Sequence, residues 1–164
     1  MSFIANSLMS FCEWADNSFF GHGVRDSVWL FPFVEIFHLV GLSILGGSVL
    51  ILNLRLLGLV FRSEPVSALA KDLLRWMVAG LVLMLVSGFF LFSSESVKMY
   101  GNWAFRAKMT ALLLAVLFTF TVYRKTILSE QNALSQLRGR LVALVSIMLW
   151  TAVGLAGRAI GYVP

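Results

Sequence analysis

Four long apolar runs dominate the chain and restrict what it can fold into. They cover about residues 29–54, 76–92, 105–123 and 141–162, and each approaches the roughly 20 residues that cross about 30 Å of hydrocarbon as a helix. Lipid offers backbone groups no hydrogen-bond partner, so a spanning segment must be a helix or part of a closed barrel. Because the runs are continuous rather than alternating, the sequence predicts an all-α fold: an integral membrane four-helix bundle.

The composition supports a lipid bilayer as the main solvent of this chain. Of the 164 residues, 59% are hydrophobic and 13% are charged, whereas a soluble domain carries about 25% charged residues. The single cysteine, Cys12, cannot form an internal disulfide. No linker or low-complexity stretch divides the sequence, so we predict one transmembrane domain over residues 1–164.

Residues 1–27 precede the first apolar run and have a different pattern. In MSFIANSLMSFCEWAD, the apolar residues recur at helical spacing, which predicts a short helix lying flat at the membrane interface. The following stretch, Asn17–Arg25, contains two glycines and is predicted to be a loop leading into the first span. Pro32 falls in the first turns of that span, where a missing N–H does least harm.

The basic residues lie beside the spans and therefore report topology rather than a nucleic-acid partner, which we do not predict. Eight of the 13 lysines and arginines fall in the first and third loops or their flanks. The positive-inside rule then places these loops in the cytoplasm and both termini outside.

Ionisable residues inside the apolar runs are the candidates for function. The stretch FPFVEIFHLVG at 31–41 carries Glu35 and His38, about 9 and 13 Å below the outer surface at 1.5 Å per residue. Lys108 and Arg158 enter the same outer half from two other spans, within about 8 and 6 Å of that surface. Residues i and i+3 share a helical face, so we expect an outer-leaflet polar pocket in which Glu35 pairs with Lys108 or Arg158.

His38 is compatible with several roles. It is a candidate metal ligand to the iron of haem b, with the basic residues receiving the propionates, or a contact to a quinone oxygen while Glu35 moves protons. It can also serve a proton or ion path, or bond its neighbours for structure alone. The only other histidine, His22, lies in the predicted outer loop, and one Glu-x-x-His motif is too few for a di-iron bundle.

Our hypothesis assigns Glu35, His38, Lys108 and Arg158 to a cofactor site for haem b or a quinone that serves electron or proton transfer. Two alternatives stay open. One is a non-catalytic accessory or assembly subunit of a larger membrane complex, and the other is a small permease for metal or protons. Besides the lipid, the sequence leaves two kinds of partner open: further copies of this chain in a homo-oligomer, or the subunits of a larger membrane complex. We find no nucleophile elbow, phosphate loop or zinc-ligand cluster.

Small residues four apart predict where helices pack closely. Such pairs let backbones approach in lipid, and Ser43–Gly47 and Gly157–Gly161 are two of them. We expect both to lie at contacts within the bundle.

The chain resembles a family of small, largely uncharacterised bacterial membrane proteins. The matching stretches are WLFPFVEIFHLVGLSILGGSVLILNLRLLG at 29–58, GNWAFRAKMTALLLAV at 101–116 and SIMLWTAVGLAGRAIGYV at 146–163. They carry the FP-x-x-E-x-x-H and AGR-x-I-x-Y motifs; Asn53 stands where the family usually has aspartate. The layout is more distantly similar to the membrane domain of copper-resistance D-type proteins. The resemblance implies a multi-pass protein of the bacterial inner membrane and raises the expectation of copper or haem-linked redox work.

Overall fold

The computed structural model describes residues 2–61, 63, 65–128 and 133–162, and its regular elements there are all helical. Four segments of these ranges are long and apolar enough to cross a membrane, which confirms the all-α prediction. The helices are α1 (Ser2–Asp16), α2 (Phe19–Asp26), α3 (Leu30–Leu56), α4 (Val66–Ser94), α5 (Ser96–Gly101), α6 (Trp103–Phe118), α7 (Arg124–Leu128) and α8 (Ala133–Ala159), with a π-helical turn at Thr119–Tyr123 between α6 and α7.

The long helices run antiparallel to their packing partners, so the bundle has two distinct ends. We call them the Trp29 end, where α3 begins, and the Arg55 end, where α3 finishes. Pro32 is the third residue of α3, as predicted, and Pro65 immediately precedes α4. Many large apolar side chains on the spans are exposed, including Leu50, Leu85 and Leu113, as expected of surfaces that face lipid.

The closest helix contact joins α3 to α4 through two glycines. A Cβ on Gly80 would lie 2.7 Å from the backbone nitrogen of Leu45, and one on Gly41 would lie 3.1 Å from the carbonyl oxygen of Gly80. The predicted contact at Gly47 is wrong, since a Cβ there would meet nothing within 4 Å. Gly47 is six residues from Gly41, and at 100° per residue it lies on another face of α3.

The remaining contacts place α3 and α8 between α4 and α6. Helix α3 packs against both α4 and α8, and α6 packs along α8. Helix α4 meets the segment formed by α6 and α7 mainly near the two ends of the bundle. Near the Trp29 end Phe92 stacks on Phe105 with ring centroids 5.4 Å apart, and near the Arg55 end α4 contacts α7. A gap therefore lies between α4 and α6 along the middle of the bundle.

The N-terminal segment forms two helices rather than one helix and a loop. Helix α1 confirms the predicted helix, but the loop predicted over Asn17–Arg25 is largely α2. Ser18 caps α2 by accepting a hydrogen bond from the backbone N–H of Gly21, and a Cβ on Gly21 would lie 2.7 Å from the carbonyl oxygen of Ser93. The glycine that suggested a loop instead allows close packing. The interfacial location of α1 and the single-domain organisation stay predictions.

Candidate ligand site between four helices

His38 is held against α4 by a serine in the interior of the bundle. Its Nδ1 lies 2.9 Å from the Oγ of Ser87, which is buried. Gly88 provides the space for the ring, because a Cβ there would lie 3.2 Å from the Cε1 of His38. A serine followed by a glycine on α4 therefore fixes the position of the imidazole and its orientation.

The hydrogen bonds of Ser87 assign the tautomer of a neutral His38. The hydroxyl has one proton, and it donates to the carbonyl oxygen of Leu83 at 2.6 Å. Its oxygen is then left to accept from the Nδ1–H of His38. In the neutral ring, Nε2 consequently carries the lone pair, which makes it a hydrogen-bond acceptor or a proton acceptor for a ligand.

Lys108 is the basic residue that the fold brings to this region. Its side chain is half-buried and runs past Gly157 of α8, where an added Cβ would lie 3.5 Å from the lysine Cε. The ammonium lies within electrostatic range of His38, and it has no carboxylate partner among the residues that the structure describes. Of the predicted pair Gly157–Gly161, Gly157 lies at a contact between helices, where it accommodates the lysine. Gly161 does not, since a Cβ there would meet only the carbonyl oxygen of Arg158, three residues earlier, at 3.9 Å.

The predicted ion pairs of Glu35 are wrong. Glu35 is exposed and makes no ion pair with Lys108 or Arg158, all three of which belong to the described residues. Arg158 is also exposed, and it donates to the hydroxyl of Tyr162 at 3.1 Å, one turn further toward the Trp29 end. The guanidinium reaches the bundle end because its long stem allows it, while the rotation of α3 turns Glu35 outward.

An apolar cavity lies below the polar group, toward the Arg55 end. It is lined by side chains from α3, α4, the α6–π segment and α8, which are Leu45, Leu74, Met77, Val78, Leu81, Val116, Thr119, Phe120, Arg124 and Trp150. Val78 and Phe120 are exposed at its rim. The cavity is small, with a volume of about 10 Å³, and these two residues place its rim at the surface between α4 and α6.

The cavity and the polar group share the same helix faces. Leu45 follows His38 by seven residues, and Leu81 and Trp150 precede Gly88 and Gly157 by seven. Seven residues are two turns, which restore nearly the same face at a distance of about 10 Å. The space between the helices therefore has a polar upper part and an apolar lower part.

Sequence reasoning identified His38 and Lys108 but missed Ser87, Gly88 and Thr119. A Ser-Gly pair inside an apolar run is a detectable signal, because serine in a span needs a hydrogen-bond acceptor and glycine permits close approach. The sequence carries no signal for pairing this serine with His38, since the two are 49 residues apart.

The second histidine does not join His38. His22 is exposed on α2 and lies next to Arg25 and Asp26, with its Nδ1 3.4 Å from a guanidinium nitrogen and 3.9 Å from a carboxylate oxygen. Within the described residues, no group of three or more His, Cys, Asp or Glu side chains is arranged to hold a metal ion. That His38 binds a metal stays a prediction.

Comparison with known proteins places the chain in a family without assigning an activity. No curated protein and no solved structure matches it. Membership of a family of unknown function agrees with the resemblance inferred from the sequence, whereas the similarity to copper-resistance D-type domains stays a prediction. A family model matches residues 11–163, and the chain belongs to that family, the family of unknown function DUF6644.

Proposed function

We propose that the chain is a multi-pass protein of the bacterial inner membrane that binds an isoprenoid quinone or quinol at His38 and Lys108 and exchanges protons with it. The observation that carries this proposal is the combination of two features in one interhelical space. An imidazole whose Nδ1 is bonded to Ser87 and an ammonium with no carboxylate partner among the described residues lie at the upper part, and an apolar cavity lies below them.

The shape of the ligand follows from these two parts. A quinone has a polar ring with two oxygens and a long apolar tail, and it is dissolved in the membrane. The gap between α4 and α6 gives such a ligand a lateral path from lipid. Because the cavity has a volume of only about 10 Å³, most of the tail would stay in lipid along this gap, and only the part next to the ring would reach Leu45, Leu81 and Trp150. Ligand pockets are commonly apolar with a few oriented polar groups.

The tautomer of His38 favours the quinol as the bound form. Nε2 with its lone pair accepts a hydrogen bond from a ligand hydroxyl and then its proton, and Ser87 stabilises the resulting imidazolium through Nδ1–H. Lys108 lowers the energy of negative charge on a ligand oxygen. Oxidation of a quinol to a quinone releases two protons and two electrons. His38 would accept the two protons in turn, Glu35, one turn toward the Trp29 end and exposed, would pass each of them to the outer aqueous phase, and a partner redox protein would take the two electrons.

Haem b fits this site less well. The His38 ring is packed against Gly88 of α4, and His22 lies on the exposed face of α2, so it supplies no second axial ligand. The experiment below also tests whether His38 alone holds a haem.

The experiment measures quinone binding by protein purified in mild detergent. We expect quinone in an organic extract of the native protein and binding of an added short-chain quinol. His38→Ala and Lys108→Met should each weaken binding by about tenfold or more, since losing one hydrogen bond worth about 1.4 kcal/mol has this effect. Gly88→Ala should weaken binding as well, because its methyl group displaces the imidazole.

His22→Ala and Gly154→Ala are the matched controls, since one removes the exposed histidine and the other adds a methyl group in open space. Both should bind as the unaltered protein does. Absence of quinone from the extract together with no binding by folded protein would refute the proposal. A Soret band that disappears in His38→Ala would assign haem instead.

A further inference from the structure

A second polar group lies in the half of the bundle nearer the Arg55 end, and its atoms lack partners. The Oδ1 of Asn53, the Oγ1 of Thr119 and the hydroxyl of Tyr123 are buried, and none has a hydrogen-bond partner among the described residues. The three side chains are 0%, 5% and 0% exposed. Buried polar atoms are nearly always bonded, so three together need an explanation.

The packing places these atoms near one level of the bundle. Lys108 of α6 contacts Gly157 of α8. Residue 119 lies 11 positions after 108, and residue 146 lies 11 positions before 157, so in antiparallel helices Thr119 and Ser146 lie at about the same depth. The Oγ of Ser146 accepts a hydrogen bond from the Nδ2 of Asn53 at 3.1 Å, which brings Asn53 to this level too.

Tyr123 lies about one turn below and belongs to the same interior. Its side chain belongs to the buried apolar cluster of the bundle, which also contains Leu52 and Leu56 of α3 and Val142 and Ala143 of α8. The three unpartnered atoms therefore come from α3 and the π-helical turn and face the interior beside α8.

The π-helical turn is the second observation that points to a site. Thr119–Tyr123 is wound wider than an α-helix, and the N–H of Arg124 bonds to the carbonyl oxygen of Thr119, five residues back. Such turns are rare and occur often at functional sites. Here the turn carries both Thr119 and Tyr123, and both are buried.

The chemistry of the three atoms indicates water as the ligand. All are neutral oxygens, and none of the described carboxylates joins them, so a cation would lack a compensating charge. A buried water makes two to four hydrogen bonds and can donate to Asn53 Oδ1 while it bonds either hydroxyl. We infer that the bundle holds internal water between Asn53, Thr119 and Tyr123. This hydrated site adjoins the apolar cavity, which Thr119 also lines, and the inference does not depend on the proposed binding of a quinol.

The sign of a stability change distinguishes a hydrated site from a dry one. Thr119→Val and Tyr123→Phe each remove one polar atom and keep the shape of the side chain. In a dry interior, loss of an unpartnered atom raises Tm; at a water site, it lowers Tm because a hydrogen bond is lost. We expect Tm to fall for both variants. Thr121→Val in the same turn is the control, since Thr121 is exposed and bonds within its own helix.

Hydroxyl-radical labelling of the folded protein gives an independent readout. Radicals formed from internal water should modify Tyr123, while Met84 in the close contact between α3 and α4 should stay protected. Asn53→Leu should reduce the labelling of Tyr123. An increase or no change in Tm for both variants, or Tyr123 as protected as Met84, would overturn the inference.

Discussion

Single side chains set the chemistry of this bundle through contacts that are far apart in sequence. The Ser87 hydroxyl decides which nitrogen of His38 is free, and Gly157 decides where Lys108 lies. In each case a small residue on a neighbouring helix positions an ionisable one. The outward position of Glu35 shows that a helix spacing of three residues does not guarantee a shared partner.

Cys12 provides a test at a single thiol. It is buried, and burial, with a smaller effect of Glu13, raises its pKa. Since the thiolate is the reactive form, we expect alkylation at neutral pH to be about tenfold slower or more than for an exposed thiol, and its rate to rise only at higher pH. The reference is Ser10→Cys in a Cys12→Ser background, because Ser10 is exposed on the same helix.

The rates of iodoacetamide labelling, followed by mass spectrometry across a pH series, check this prediction. The Ser96 hydroxyl donates to the carbonyl oxygen of Cys12 at 2.7 Å, which ties α1 to α5. Equal rates for the two thiols would mean that α1 does not stay packed in the folded protein.

Among the helices, the contact between α3 and α4 determines the geometry of the candidate site. Gly41 and Gly80 bring the two backbones close, and His38 and Ser87 are then near enough to bond. In lipid, where apolar side chains gain little by leaving the solvent, packing at such contacts is a main source of helix association. Precise positioning of the imidazole therefore depends on glycines that never contact it.

Gly80→Ala should destabilise the bundle by about 2 kcal/mol, because an added Cβ would press on backbone atoms that cannot rotate away. The nearest are the nitrogen of Leu45 at 2.7 Å and the carbonyl oxygen of Gly41 at 2.9 Å. Gly46→Ala on α3 meets open space and should be neutral or stabilising by about 0.5–1 kcal/mol. The free energy of unfolding in mixed micelles measures both. If the two variants unfold alike, the helices are not in the contact described.

In the whole molecule, the Trp29 end and the Arg55 end of the bundle differ in their polar groups. The proposed quinol site lies nearer the Trp29 end and the proposed hydrated site nearer the Arg55 end, and the apolar cavity below His38 extends to Thr119. If the Trp29 end faces outward, protons released by the proposed reaction leave on the outer side. The side of the membrane on which the protons leave therefore depends on the orientation of the chain.

Labelling of introduced cysteines tests that direction. In a Cys12→Ser background, Val97→Cys places a thiol on α5 at the Trp29 end, and Ser63→Cys places one in the loop at the Arg55 end; both positions are exposed. On spheroplasts, a membrane-impermeant maleimide should label the Val97→Cys protein, and the Ser63→Cys protein only after lysis. The reverse pattern would invert the topology and move proton release to the cytoplasmic side.

The amino-acid sequence alone predicts the membrane spans better than it predicts the candidate site. The four spans, Pro32 at the start of α3 and the N-terminal helix were predictable, because hydrocarbon thickness and the need to pair every backbone group act locally. His38 and Lys108 stood out because an ionisable residue in an apolar run is costly. The α2 helix was missed because its stability depends on packing against α4.

Only the packing of the helices determined which side chains meet. A span that is apolar on every side carries no stripe that marks its inner face, so the chain order could not show that Ser87 turns inward and Glu35 outward. The contact of Gly41 with Gly80 fixes the rotation of α3 against α4, and the passage of Lys108 over Gly157 fixes that of α6 against α8. The site is a consequence of those two rotations, which depend on fit between distant residues rather than on local hydrophobicity.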